Sequence, residues 1–222
     1  AEKEIKTALV NEKLDVDTKV SILSRYILRL QQSKQDIENA NHLFETLLEQ
    51  HPEDTELKLM YGGLLLAQEK EEEARFQFQL VTEMDPSQAE AWKRLLNMAL
   101  KADDWAEGER YCTACMELFP TAPEYYFYLG IAYFQQENYQ ASLNTYYAGL
   151  NVIPKENPRL KSDFYGQIGD IYHQLNKQEQ AYKAYEEALK YNEQNVVVLN
   201  NYSYFLSLEK RDLKRAERMS AQ

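Results

Sequence analysis

Cys112 and Cys115, three residues apart in YCTACMEL, have the spacing of a redox dithiol or of half a zinc site. A redox cysteine owes its lowered pKa to a helix N-terminus, and structural zinc needs two further ligands. The chain has 2 Cys in all and this pair falls inside a helical pattern, so both are expected to pack in a core. His42, His51 and His173 stand at unrelated places and read as scattered surface histidines. The acidic run EKEEEAR, starting at Glu69, invites a metal or acid–base role, but it separates two helical stretches, where a solvated turn is expected. No phosphate-binding glycine loop, nucleophile elbow or His-Glu-X-X-His helix occurs. The residues therefore point to no catalytic group, no metal and no cofactor.

The elements that carry these residues are helical. With 7 Gly and 6 Pro in 222 residues, turn-forming residues reach roughly 6% against an expected ~12%. That shortage argues against a many-stranded β protein, whose tight turns consume both. Hydrophobic residues at 44% and charged residues at 27% suit a folded soluble chain and not a disordered one. No apolar run approaches the ~18 residues of a membrane span, so no direct membrane insertion is expected. The opening AEKEIKTALVNEKLD lacks the basic start, apolar run and cleavage site of a secretory signal. The missing initial Met suggests a processed or excised fragment, and cytoplasmic and periplasmic locations stay equally open. The charge sum, 25 − 36 = −11, opposes a phosphate backbone, so nucleic acid is not an expected partner.

Pro52, Pro86, Pro120 and Pro154 recur every 34 residues. In that register the chain divides into residues 1–20, a leading helix over residues 1–11 and a linker over 13–19, followed by blocks 21–54, 55–88, 89–122, 123–161, 162–195 and 196–222. The fourth block carries about five extra residues around KENPRLK, and the last is cut short at Gln222. Each block holds two helical stretches joined by a few polar residues, and the prolines stop the second. Small residues align: Gly62, Gly130, Gly169 and Ser203 at position 8, Ala40, Ala74, Gly108, Ser142 and Ala181 at position 20, and Cys115, Gly149 and Ala188 at position 27. Position 24 supplies Phe44, Phe78, Tyr146 and Tyr185. Five of the glycines are thus expected to be packing glycines within helices, where Gly costs about 1 kcal/mol against Ala and needs a reason. Ser87 to Glu90 and Thr121 to Glu124 read as capping boxes. Ala216 sits one position late, which predicts a turn one residue longer.

Trp92, Tyr126 or Tyr165 at position 4, Leu95 or Leu129 at 7, Gly130 or Gly169 at 8, Tyr133 or Tyr172 at 11 and Pro at 32 resemble the tetratricopeptide repeat. The likeness runs from about Ser21 to the C-terminus; the first block departs at Ser24, Leu28 and Gln31 and rests on its second helix, IENANHLFETLLEQHP. On this register Tyr61, Tyr126, Tyr133, Tyr146, Tyr165, Tyr172, Tyr185 and Tyr202 are core residues.

The resemblance implies an all-α, right-handed solenoid of antiparallel helix pairs. Its first helices would line a concave face with positions 2, 5, 6, 9, 12 and 13, a surface used mostly to hold peptides and other proteins. The first block places Arg25, Tyr26 and Arg29 there; the third places Glu90, Lys93, Arg94, Asn97, Leu100 and Lys101. The fourth adds Phe127, Tyr128, Ile131 and Phe134, the fifth Asp163, Gln167, Asp170 and His173, the sixth Asn200, Asn201 and Tyr204. A basic cluster at Lys93 and Arg94 beside an aromatic shelf that no core requires suits a partner protein or peptide with an acidic group next to a hydrophobic anchor. In the blander alternative, Lys93 and Arg94 pair with neighbouring carboxylates, and Phe127 and Phe134 are covered by this chain's own helices.

Family roles transfer only in part. Of the five positions that clamp a chaperone's carboxylate tail, Lys93 and Asn97 match, while Tyr128, Asp163 and Gln167 do not. The position-6 asparagine ladder of sugar-transferring enzymes is missing, since Tyr26, Met60, Arg94, Tyr128, Gln167 and Asn201 stand there. The leading expectation is a non-enzymatic interaction scaffold. The alternatives are homodimerisation through an apolar face left at the repeat ends, or a docking arm of a larger enzyme.

Overall fold

The computed structural model describes residues 2–11, 13–32 and 40–220. Residues 1, 37–39 and 222, named in the expectations above, lie outside the described residues, as does the side chain of Gln31. Among the described residues there are thirteen helices and no strand, so the chain is all-α. They are α1 (Glu2–Leu9), α2 (Val16–Gln32), α3 (Ala40–Gln50), α4 (Thr55–Ala67), α5 (Glu71–Met84), α6 (Ala89–Lys101) and α7 (Trp105–Leu118). The series continues with α8 (Pro123–Gln135), α9 (Tyr139–Val152), α10 (Pro158–Gln174), α11 (Gln178–Tyr191), α12 (Val196–Leu208) and α13 (Leu213–Ser220). No helix among the described residues is long and apolar enough to cross a membrane. Two compact units divide the chain, Ala1–Met98 and Ala99–Gln222.

In the first unit α3 packs on α4 and α4 on α5. Leu43, Phe44, Leu47, Leu57, Phe78 and Val81 are almost wholly buried, and Phe44 stacks on Tyr61 with ring centroids 5.1 Å apart. Each such side chain contributes about 1.5–3 kcal/mol of apolar burial. In the second unit each helix from α7 to α13 packs on the next. One core cluster forms around Tyr146, Phe164, Ile168 and Ile171, another around Tyr185, Val198, Leu199 and Tyr202.

The small residues act as the register implies. Ala40, Ala74, Ser142 and Ala181 are fully buried, and Ser142 Oγ donates to the Gly130 carbonyl at 2.7 Å. No glycine has positive φ. A Cβ on Gly62 would fall 2.6 Å from the Phe78 ring, and the aromatic rings of Tyr146 and Tyr185 close on Gly130 and Gly169 in the same way. Two positions differ from expectation. A Cβ on Gly108 would make only an ordinary contact, with Leu100 at 3.8 Å, whereas one on Gly166 would fall 2.7 Å from Val198 Cγ2.

The turns within helix pairs are made by left-handed residues that are not glycine: Glu69, Asp103, Glu137, Asn176 and Lys210, with φ between 53° and 62°. After each, a backbone N–H returns to the carbonyl five residues back, as from Lys70 to Leu65 (2.9 Å) and from Asn138 to Tyr133 (2.8 Å), closing the helix end. The turn between α12 and α13 is one residue longer than those of the α4–α5, α6–α7, α8–α9 and α10–α11 pairs, as the late Ala216 predicts, and adds a second left-handed residue, Asp212. Between pairs, Trp92 Nε1 donates to the Pro86 carbonyl (2.8 Å) and Tyr126 Oη to that of Pro120 (3.0 Å).

Three local expectations are corrected. The linker over residues 13–19 ends early, because Asp15 accepts from Thr18 N at 2.7 Å and starts α2 at Val16. The extra residues around KENPRLK become an added turn of α10, with Asn157 as N-cap and Pro158 as first helical residue. Thr121 does not cap α8: Ala122 is the N-cap and makes no side-chain bond, while the Ser87 hydroxyl is given to Asp85 Oδ1 at 2.6 Å.

Candidate functional site

The sequence-derived groove residues fall in both units, and each set is described in its own. In the first unit Arg25 and Arg29 are exposed on α2, and Lys93, Arg94 and Asn97 are exposed on α6. Arg94 Nε donates to Glu90 Oε1 at 2.8 Å, so the blander reading holds for this half of the basic cluster. A half-exposed pair of that kind is worth little and exchanges readily.

In the second unit Lys101 is exposed at the end of α6. Phe127, Tyr128, Ile131 and Phe134 line one side of α8 and are half-buried. The expectation of a shelf that the core does not need is corrected here. Phe127 packs against Phe164 (5.2 Å between centroids) and edge-on to Tyr146 (5.8 Å), and Phe134 is edge-on to Tyr139 (5.5 Å). Rings from α9 and α10 close over them because Gly130 and Gly149 let those helices approach.

One face of Phe127 stays open and forms the wall of a recess of about 170 Å³, which α8, α10 and α12 line together. Asp170 is one of its lining residues. Tyr185 Oη donates to Asp170 Oδ1 at 2.6 Å, and Asn201 Nδ2 donates to both carboxylate oxygens at 3.0 and 3.2 Å. Burial holds the Asp170 carboxyl above the usual carboxylate range, against the pull of these two donors and of His173. Gln167, Asp163 and Val197 also line the recess. Of the expected residues the structure thus brings together Phe127, Asp163, Gln167, Asp170 and Asn201. His173 is stacked on Phe205 with centroids 3.4 Å apart, and Tyr204 is 59% exposed, edge-on to Phe205.

Two residues of this site were assigned elsewhere or passed over. Tyr185 reads as core by its repeat position, yet its hydroxyl reaches the recess. Asn195 is the N-cap of α12 and is buried; its amide donates to Ser162 Oγ and Asp163 Oδ1, both at 2.9 Å. An Asn directly before the apolar run VVVL is the signal that marks such a cap.

The groups with redox or metal potential are placed otherwise. Cys112 and Cys115 are buried and form no disulfide, and burial pushes the Cys112 thiol up to about 12. Among the described residues no group of His, Cys, Asp and Glu could hold a metal ion. His42 is exposed and lies 2.9 Å from Lys6 Nζ.

Sequence models of the tetratricopeptide repeat match residues 32–98, 95–151 and 162–195. No curated protein matches the chain by sequence. Among solved structures, that of the MamA protein is similar with a TM-score of 0.62 at 17% identity, over 86% of this chain and 94% of that one. YrrB, described as a TPR protein with an unusual peptide-binding site, gives a TM-score of 0.66 at 16% identity over 91% of this chain and 99% of that one. PilF of Pseudomonas aeruginosa gives 0.60 at 13% identity, over 98% and 90%. Identities this low speak for a shared fold alone.

Proposed function

The chain is a tetratricopeptide-repeat protein, and on that premise we propose that it is a non-enzymatic scaffold holding a peptide segment or partner protein along its first helices. Repeats of this family serve as protein–protein interaction modules. One observation carries the finer reading: three successive first helices, α8, α10 and α12, converge on one recess with an open aromatic face and fixed polar groups. Phe127 and Val197 would take an apolar side chain. The Gln167 and Asn201 amides would pair with the backbone of an extended segment, since carboxamides both donate and accept. The exposed Lys101, in the same unit as the recess, favours an acidic group elsewhere on the partner.

A display library of random peptides selected on the full chain tests this reading. Recovered peptides should bind about tenfold or more weakly to Gln167→Ala and to Asn201→Ala, at unchanged helix content. Phe127→Ala is unsuitable, because that ring also packs on Phe164 and Tyr146. Peptides that bind both variants as tightly as the wild type would remove the recess from consideration. Lys101→Glu separately tests the acidic group.

A second reading rests on α12 and α13. Val196, Val197, Tyr204, Leu208 and Leu213 are between 55% and 69% exposed, an apolar surface that self-association would cover. Light scattering from micromolar to millimolar concentration should then show dimers that Leu208→Glu abolishes. A constant monomer mass would rule this reading out.

A further inference from the structure

Within Ala1–Met98, α3 and α5 flank a groove of about 710 Å³ floored by α4. That size lies within the roughly 300–1,000 Å³ of clefts that hold ligands. Tyr61 and Leu65 are buried at its base, and Glu45 and Glu49 of α3 and Glu72 and Glu73 of α5 are exposed along its rim. No Lys, Arg or His is among its described lining residues; Arg75 reaches Glu72 only at a long 3.9 Å.

Phe76 stands in this acidic rim, 57% exposed. It is the sixth residue of α5, and the sixth residues of α7, α9 and α11 are Arg110, Asn144 and Lys183, so the fold does not call for an aromatic there. Gln77 also lines the groove, and its Oε1 is buried with no hydrogen-bond partner among the described residues. Tyr61 Oη donates to Glu45 Oε1 at 3.2 Å; burial, with Glu45 and Glu73 beside it, pushes the hydroxyl up to about 12, as unbalanced negative charge should.

We propose that this groove docks a segment of another protein that carries Lys or Arg on either side of a bulky apolar residue. The apolar residue packs on Phe76 and Leu48, and the cations meet the rim glutamates. Charge complementarity selects this occupant. Four carboxylates repel an acidic segment, and a purely cationic ligand leaves Phe76 uncovered. The aromatic contact supplies most of the affinity, and the carboxylates supply its salt dependence.

The test uses the full chain and three short fluorescein-labelled peptides: one alternating Lys and Leu around a central Phe, one with Glu for each Lys, one with Ser for each apolar residue. Anisotropy should show binding of the first alone. Phe76→Ser should weaken it about tenfold or more, and Glu49→Gln with Glu73→Gln should weaken it and flatten its salt dependence. Asp170→Asn, in the other unit, should change nothing, which separates this site from the α8, α10 and α12 recess. Absence of binding, equal binding to Phe76→Ser, or equally tight binding of the Ser-substituted peptide would each overturn the proposal, the last by revealing only diffuse attraction to a chain of net charge −11.

Discussion

The ring of Tyr146 occupies the space a side chain on Gly130 would need: a Cβ built there falls 2.5 Å from Cζ of the ring. The helix pair α8 and α9 is therefore set at a spacing that only glycine permits. Gly130→Ala should destabilise by about 1 kcal/mol, an overpacking cost of ~1–3 kcal/mol less the ~1 kcal/mol gained in helix propensity. Gly63→Ala, whose Cβ meets nothing within 4 Å, should stabilise by about 0.5–1 kcal/mol. Denaturant titration of both variants checks the contrast, and adding Tyr146→Ala to Gly130→Ala should cost less than the sum.

Two of the asparagine caps in the second unit, Asn138 and Asn195, should differ in worth. Asn138 is exposed and accepts from Ala141 N at a long 3.4 Å, so Asn138→Ala should cost about 0.5–1 kcal/mol. Asn195 caps α12 and also satisfies buried Ser162, so Asn195→Ala should cost about 2–3 kcal/mol, a cap plus a stranded buried hydroxyl. Equal shifts in the urea midpoint would contradict this account of the α12 cap.

Asp170 should make stability depend on pH. Burial raises its folded pKa above the ordinary 3.8, so the unfolded chain ionises first as pH rises. Its stabilising contribution is complete below 3.8 and is lost as pH climbs through the folded value. Asp163, also raised by burial, acts in the same sense. Asp170→Asn cannot ionise, so its stability relative to wild type should rise across the window above 3.8 and then level off. Urea midpoints measured from acid to neutral pH provide the check, and a constant gap between the two proteins would refute it.

Cys112 and Cys115 should be chemically silent in the native state. Both are fully buried and Cys112 is pushed up to about 12, so almost no thiolate exists at neutral pH. A thiol reagent should label them only as the chain opens, at rates that climb with denaturant. Rapid labelling of the native protein would show the core reading of Cys-X-X-Cys to be mistaken.

Much of the fold could be read before any coordinate. The alignment of Gly62 with Phe78, Gly130 with Tyr146 and Gly169 with Tyr185 is a matter of spacing within one helix pair, and each pair meets in the structure. The late Ala216 announced its longer turn in the same way. The candidate site was legible only in part. Asp170, Asn201 and Phe127 do share a recess, but Tyr185 enters it through a hydroxyl whose ring had been assigned to the core.

The sequence by itself determined the all-α class, the 34-residue rhythm and the places where helices touch, because prolines, small residues and aromatics act on neighbours within one repeat. Tertiary structure alone decided which side chains remain uncovered. Phe127 lost most of its apparent freedom to Tyr146 and Phe164, Arg94 went to Glu90, and Phe76, unremarkable in the pattern, stayed open among four glutamates. The reason is physical. Helix periodicity tells which face a residue occupies, but exposure depends on side chains contributed by other helices, whose approach is set by packing and not by spacing along the chain.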